Sequence, residues 1–306
     1  MDTLKRLLSY VEIKTKITSV LPFLMTMAYL FSSGYRIDPL RSAVFFAGMF
    51  FFDLTATTVN NYADTKKNHQ TLQFSRGKAK AITLLLLVIS IALGLWLVFL
   101  TDAVILFLGA LCFFFGVFYS YGPVPLSHGP YGEIVSGFFY GAVIPAIIVY
   151  VNDPARLLSY SLSTEALSVQ VNIAPTIGLI LLAVVPFCLT ANVMLANNIC
   201  DVERDVQVGR YTLPHYLGRA SLHLFAFFYY AAYLSVVVLT VLRYLSPLSY
   251  LLLITLWPVQ RNIRRFFERQ IKEETFILAI QNFILISSVH CVLIFLGGFL
   301  PGWGPQ

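Results

Sequence analysis

Nine apolar runs dominate the sequence, at about 17–34, 40–59, 81–100, 103–121, 132–151, 173–196, 221–242, 246–260 and 276–299. A stretch of about twenty apolar residues is enough to cross a hydrocarbon core of roughly 30 Å. With 58% hydrophobic and 12% charged residues, the chain has too little polar surface to hide so many runs in one water-soluble core. Lipid offers backbone amides no outside partner, so the spans must be helices or a closed barrel, and the short alternating pattern of a barrel is missing. The expectation is an all-α integral membrane protein of about nine transmembrane helices. The whole chain, 1–306, is read as one transmembrane domain. The eighth run is the shortest and ends in "WPVQRNIRRFFERQIKEE", so its boundary is the least sharply drawn.

Basic residues set the orientation. If the N-terminus is cytoplasmic, only Arg36, Arg41, Arg156 and Arg243 of the 21 lysines and arginines lie outside, leaving 21 − 4 = 17 inside. This predicts an N-in, C-out chain whose net charge of +6 reflects topology and attraction to anionic headgroups, with no nucleic-acid partner implied. Residues 1–16 ("MDTLKRLLSYVEIKTK") are amphipathic and predicted to lie on the inner surface. The cysteines, Cys112, Cys188, Cys200 and Cys291, have no paired spacing and read as small buried hydrophobes. The loop at 152–172 is expected to hold a short surface helix.

The second and sixth runs end alike. Residues 60–68 read "NNYADTKKN" and residues 197–205 read "NNICDVERD", both N-N-x-x-D-x-x-x-(N/D). In the predicted orientation both motifs, in loops at 60–80 and 198–220, reach the cytoplasmic boundary. The pattern suggests two parallel four-helix repeats plus a ninth helix. Residues four apart on a helix lie one above the other. Asn197, Asp201 and Asp205 therefore form one stripe, and Asn60, Asp64 and Asn68 form another. Asn61 and Asn198 flank these stripes, and Asp53 extends the first toward the bilayer.

Like charges at that spacing repel, and a carboxylate at the membrane is costly, so a positive group is expected to fill the gap. Mg²⁺ takes oxygen ligands and commonly pairs one or two carboxylates with substrate phosphates. The candidate metal ligands are Asn61, Asp64, Asn68, Asp201 and Asp205. Lys66, Lys67, Arg76, Lys78 and Arg210 are placed to hold remaining phosphate charge. A single D-x-x-x-D at a helix end is ordinarily a solvated terminus; its duplication at matching depth is what favours a site. Glu203 faces the opposite side and reads as solvated.

These motifs resemble those of the UbiA-type intramembrane aromatic prenyltransferases. The second motif with Gly209, Arg210, Thr212, Leu213, Leu217 and Gly218 is similar to the 1,4-dihydroxy-2-naphthoate polyprenyltransferase (MenA type) branch, as are "YSYGPVPLSHGPYGE" at 119–133 and "IKTKITSVLPFL" at 13–24. The resemblance covers about residues 13–218; the last three helices match only in hydropathy. Asn61 and Asn68 depart from it, standing where the family has aspartates.

The resemblance implies Mg²⁺-dependent transfer of a polyprenyl group from polyprenyl diphosphate to 1,4-dihydroxy-2-naphthoate, with loss of CO₂ and diphosphate. It implies catalytic roles for Asp64, Asp201 and Asp205. Diphosphate contacts are implied for Asn60, Asn61, Asn68, Asn197 and Asn198, for the basic residues above, and for Tyr119 and Ser120. Lys14, Asp53 and Glu133 are candidates for the acceptor, although Asp53 would equally replace charge missing from the first motif. Phe113, Phe114, Phe115 and Phe118 suit either a prenyl groove or plain packing. Menaquinone biosynthesis at the bacterial cytoplasmic membrane, with the site facing the cytoplasm, is the implied setting. Another aromatic acceptor, or a secondary transporter with polar groups at a repeat interface, remain the alternatives.

Overall fold

The computed structural model describes residues 3–67, 71–120, 125–163 and 165–300. Among them, six helices are long and apolar enough to cross a membrane: Pro39–Ala63, Arg76–Leu100, Gly132–Asn152, Ile173–Gln207, Ala220–Val241 and Phe276–Gly297. The described residues divide into two compact units.

The first unit comprises Met1–Val20, Leu40–Gly132 and Asp201–Gly218. It contains α1 (Thr3–Tyr10), a 3₁₀ turn (Ile13–Lys16), α3 (Pro39–Lys67), α4 (Arg76–Leu100), α5 (Ala103–Ser120) and the short α10 (Leu213–Leu217). Between the 3₁₀ turn and α3, α2 (Ile17–Ser32) begins in this unit and continues into the other. Ser90 of α4 donates to the Gly48 carbonyl of α3 at 3.0 Å, a polar tie between two apolar helices. Tyr10 is fully buried at the end of α1. Its hydroxyl lies 3.1 Å from Thr83 Oγ1 and 3.2 Å from the Thr58 carbonyl, and Phe74 meets its ring edge-on. The amphipathic segment expected at 1–16 thus has a specific anchor on α3 and α4, while Leu4, Leu8, Lys5 and Arg6 stay exposed.

The second unit comprises Leu21–Pro39, Glu133–Cys200 and Arg219–Gln306. The run at 132–152 consists of α6 (Gly132–Phe138), a π segment (Phe139–Val143) and α7 (Ile144–Asn152). A Cβ at Gly141 would lie 2.2 Å from the Phe187 backbone nitrogen, and one at Gly137 would lie 2.9 Å from the Phe187 carbonyl oxygen. Gly-x-x-x-Gly spacing lets two backbones touch in lipid, where packing rather than hydrophobicity holds helices together. The partner is α9 (Ile173–Gln207), whose 35 residues span roughly 52 Å. The unit also holds α11 (Ala220–Val241), α12 (Leu256–Glu268) and α13 (Phe276–Gly297).

The structure alters three expectations. The short eighth run begins as a 3₁₀ helix, Pro247–Thr255, before α12. Ser246, Ser249, Leu252 and Thr255 are all buried, a spacing of three that suits three residues per turn. Nine residues at a rise of about 2.0 Å cover roughly 18 Å, so the short run reaches farther than as an α-helix. The loop at 152–172 keeps a short helix, α8 (Pro154–Leu157), but most of it is an antiparallel hairpin of β1 (Leu158–Leu162) and β2 (Leu167–Val171), with Tyr160 opposite Val169. Finally, the motifs do not lie in loops. α3 continues to Lys67 and α9 to Gln207, because Asp, Asn, Lys and Glu past the apolar run remain compatible with helix.

Candidate functional site

The second motif rides on the end of α9, where the i, i+4 spacing predicted for Asp201 and Asp205 is realised on helical backbone. Asp205 is buried and Asp201 half-buried, whereas Glu203 faces solvent. The helix then stops abruptly. Gly209 adopts φ 75°, a left-handed conformation that glycine takes at little steric cost. The turn lets the Val208 and Arg210 amides donate to the Asp205 carbonyl at 3.1 and 2.8 Å. Consequently Arg210 folds back on its own motif, with Nε 3.6 Å from Asp205 Oδ1.

Residues 125–132 brace this turn from the same unit. Arg210 Nη2 donates to the Ser127 carbonyl at 3.4 Å, and the Tyr211 amide donates to the His128 carbonyl at 2.9 Å. The motif at 119–133 and the motif at 197–218, separate in sequence, are therefore hydrogen-bonded to each other. His128 contributes through its backbone. Tyr119 is half-buried at the end of α5, with its hydroxyl near Gly132.

In the second unit, Glu133 is fully buried and accepts a hydrogen bond from Asn198 Nδ2 at 2.8 Å. Asn197 accepts one from Lys272 Nζ. Asn198 is thus held by a carboxylate, and Glu133 has a positioning contact on the second motif. Lys272, in the loop before α13, was not among the predicted site residues.

The first motif is employed differently. Asp53 is buried and its Oδ1 lies 2.9 Å from Lys16 Nζ, while Ser19 Oγ donates to Oδ2 at 2.7 Å. Lys16 also donates to the Asp53 carbonyl and to Thr57 Oγ1, so the three protons of the ammonium have three acceptors. Asp53 is therefore balanced by its own lysine. Lys14, the lysine singled out from sequence, is exposed; the buried one is Lys16, directly before the apolar run.

Asn61 donates through Nδ2 to the Tyr10 carbonyl at 2.9 Å. A carboxylate has no proton to donate there, which gives the asparagine a reason of its own. Asn60 is half-buried. Arg76 and Lys78 are exposed, and Arg76 stacks over the Tyr62 ring at 5.3 Å. Asp64, Lys66 and Lys67 belong to α3 and Ser120 to α5, but their side chains lie outside the described residues, as does Asn68 entirely.

Among the described residues no three His, Cys, Asp or Glu side chains cluster as a ready-made metal cage. The donor chemistry nonetheless suits Mg²⁺, which usually keeps waters and binds through one or two carboxylates plus substrate phosphates. Asp201 and Asp205 on one helical face supply that number.

The apolar helices and the carboxylate pair closing one of them define an all-α, multi-pass membrane protein with a polar site at a helix end. The chain belongs to the UbiA prenyltransferase family, whose model matches residues 19–299. It is 25% identical over 183 residues to the 1,4-dihydroxy-2-naphthoate octaprenyltransferase of Bacillus subtilis (strain 168), a match covering 60% of this chain. That match spans about half, 53%, of the relative's length. Among solved structures, the apo UbiA homologue of Aeropyrum pernix K1 has a TM-score of 0.66 at 17% identity, over 93% of this chain and 98% of the homologue. An Archaeoglobus fulgidus UbiA homologue bound to GPP and Mg²⁺ has a TM-score of 0.55 at 15% identity, over 96% of this chain and all, 100%, of that one. Both likenesses concern the fold.

Proposed function

We propose that this protein transfers a polyprenyl group from polyprenyl diphosphate to 1,4-dihydroxy-2-naphthoate, releasing diphosphate and CO₂ and giving a demethylmenaquinone precursor. The observation that carries the reading is the buried Asp205, one turn from Asp201 and faced by Arg210 at 3.6 Å. That arrangement combines metal-binding oxygens with a cation suited to phosphate.

In this reading Asp64, Asp201 and Asp205 hold Mg²⁺, with Asn61 and Asn68 offering neutral amide oxygens. Bound Mg²⁺ would neutralise charge on the diphosphate and make it a better leaving group. Arg210 grips a phosphate oxygen with its planar fork, kept in place by Asp205 and the Ser127 carbonyl. Asn60, Asn197, Asn198, Lys66, Lys67, Arg76, Lys78, Tyr119 and Ser120 complete the diphosphate surroundings. Cleavage of the allylic C–O bond sends its electron pair to the diphosphate. The electron-rich ring carbon bearing the carboxylate forms the new C–C bond, and loss of CO₂ returns an electron pair to the ring. No serine or cysteine nucleophile is required.

The relative from Bacillus subtilis supports this acceptor. The bias of 17 inside to 4 outside among the 21 basic residues supports an N-in, C-out chain in the cytoplasmic membrane, with the site on the cytoplasmic side. The test is incubation of purified protein with Mg²⁺, dihydroxynaphthoate and a polyprenyl diphosphate. The expected product carries one prenyl group and has lost its carboxyl group by mass. Recovery of both substrates unchanged would contradict the proposal, and substrate flux across sealed vesicles without chemistry would replace it with a carrier.

A further inference from the structure

The hairpin between α7 and α9 has two unlike faces. Its strands read LSYSL and LSVQV, and the register pairs Leu158 with Val171, Tyr160 with Val169 and Leu162 with Leu167. Alternate residues of a strand belong to opposite sides, so these six apolar positions share one face and Ser159, Ser161, Ser168 and Gln170 share the other. The polar face is exposed, and across it the Ser161 and Ser168 hydroxyls meet at 2.6 Å. The apolar face is exposed as well: Val169 and Val171 are each 55% accessible among the described residues. A two-stranded hairpin with no covered face is marginal at best in water, so this one needs a surface to lie on.

The base of the hairpin fixes where that surface is. Asn172, between β2 and α9, donates its amide to the Leu157 carbonyl at 2.9 Å and its Nδ2 to the Ala155 carbonyl at 2.8 Å. Its own carbonyl accepts the Thr176 hydroxyl at 2.7 Å, which joins α8, the hairpin and the first turn of α9. The spans that flank the hairpin, one ending at Asn152 and one starting at Ile173, are both long and apolar enough to cross a membrane. On α9 the exposed Ile173, Ile177 and Ile180 form a stripe at helical spacing, and on a spanning helix such a stripe faces lipid. Val169 and Val171 precede Ile173 at every second residue, so exposed apolar residues continue along the chain from the span into β2.

We infer that the β1–β2 hairpin is a lipid-binding surface that lies flat in the membrane interface at the start of α9, with Val169 and Val171 toward the acyl chains and Ser168 and Gln170 toward water. Its depth follows from strand geometry. Five residues extend about 17 Å, too short for a core of roughly 30 Å, and the unpaired edges of a two-stranded sheet are not tolerated inside hydrocarbon. Headgroups and their water satisfy those edges while the apolar face meets the acyl chains, the arrangement an amphipathic helix adopts at the same depth. Charge agrees with this placement: between Leu157 and Ile173 the sequence holds a single charged residue, Glu165, at the turn. There the Glu165 and Ala166 amides donate to Ser163 Oγ at 3.3 and 3.0 Å, and the strands carry no charge. This surface does not depend on the proposed reaction.

The test uses full-length protein in phosphatidylcholine nanodiscs, with bimane attached at Val169→Cys, Val171→Cys, Ser168→Cys or Gln170→Cys. Unsubstituted protein taken through the same labelling gives the contribution of its four cysteines. Phosphatidylcholine carrying a nitroxide near the headgroup should quench the labels at 169 and 171 at least about twofold more than those at 168 and 170, because alternate residues sit on opposite faces. Iodide in the water should reverse that order. Val169→Asp combined with Val171→Asp is expected to speed amide exchange across 158–171 on the order of tenfold, the effect of returning two partly buried valines to water, with α9 unchanged. If a labelled variant does not fold, unsubstituted protein in nanodiscs containing a photoactivated diazirine lipid answers the same question, with adducts expected on peptides covering 167–171. Iodide quenching equal at all four positions, or no lipid adducts on those peptides, would overturn the proposal. Labels at 169 and 171 shielded from both quenchers would give the face to a second copy of the chain or another protein segment and overturn it equally.

Discussion

The helix ends at Asn60–Lys67 and Asn197–Asp205 began from one spacing and diverged in their partners. On α9, Asp205 faces Arg210 and the stripe keeps two carboxylates. On α3, the equivalent face is joined to the N-terminal segment: Asp53 and Thr57 bind Lys16, and Asn61 binds the Tyr10 carbonyl. The second asparagine of each motif donates to neighbouring chain, Asn61 to the Tyr10 carbonyl and Asn198 to Glu133, so the motifs differ in what those amides fasten and at the last position, where Asn68 stands against Asp205. Repetition in sequence therefore marks where polar groups collect, and their hydrogen-bond partners decide what each copy does.

That contrast can be broken most forcefully on the second motif. Asp205→Ala removes a carboxylate and leaves Arg210 facing an apolar side chain; product formation should fall about a hundred- to a thousandfold, as when a main electrostatic group is lost from a site. Turnover within tenfold of wild type would make the two motifs equivalent after all.

The first motif should respond mainly in stability. Lys16→Met leaves a buried carboxylate uncompensated and is expected to cost about 3–5 kcal/mol, read as a lower unfolding temperature in detergent. The double variant Lys16→Met with Asp53→Leu should recover much of that loss. Additive losses would show that the pair is not coupled.

Smaller effects sharpen the division. Arg210→Lys keeps the charge but not the planar fork, so the donor KM should rise about tenfold with the protein still folded. Asn61→Asp places a carboxylate against the Tyr10 carbonyl and forfeits a hydrogen bond worth about 1 kcal/mol. Faster proteolysis of residues 3–16 at unchanged global stability is the expected sign, and unaltered cleavage would remove the fastening role.

Much of this was legible in the sequence. Length and hydropathy place the helices, and the four-residue spacing finds Asp201 and Asp205 because helical neighbours leave a periodic trace. Arg210 was also foreseen, being close to its motif along the chain. Lys16 and Lys272 were not, since their partners lie 37 and 75 residues away and no local pattern records such pairs. The 3₁₀ helix at Pro247–Thr255 leaves a legible mark, Ser246, Ser249, Leu252 and Thr255 at intervals of three, which a search at α-helical period passes over. The hairpin leaves a legible mark too, Ser and Gln alternating with Leu, Tyr and Val, but over strands of only five residues, which a reading of 152–172 as one polar loop passes over.

The central claim is that Asp201 and Asp205 carry Mg²⁺-dependent diphosphate chemistry. The most direct measurement is diphosphate release from a polyprenyl diphosphate in the presence of dihydroxynaphthoate, for wild type and Asp201→Ala, with and without Mg²⁺. The account predicts release that requires Mg²⁺ in the wild type and falls to background in the variant. Equal release from both proteins, or release unaffected by removing Mg²⁺, would contradict it.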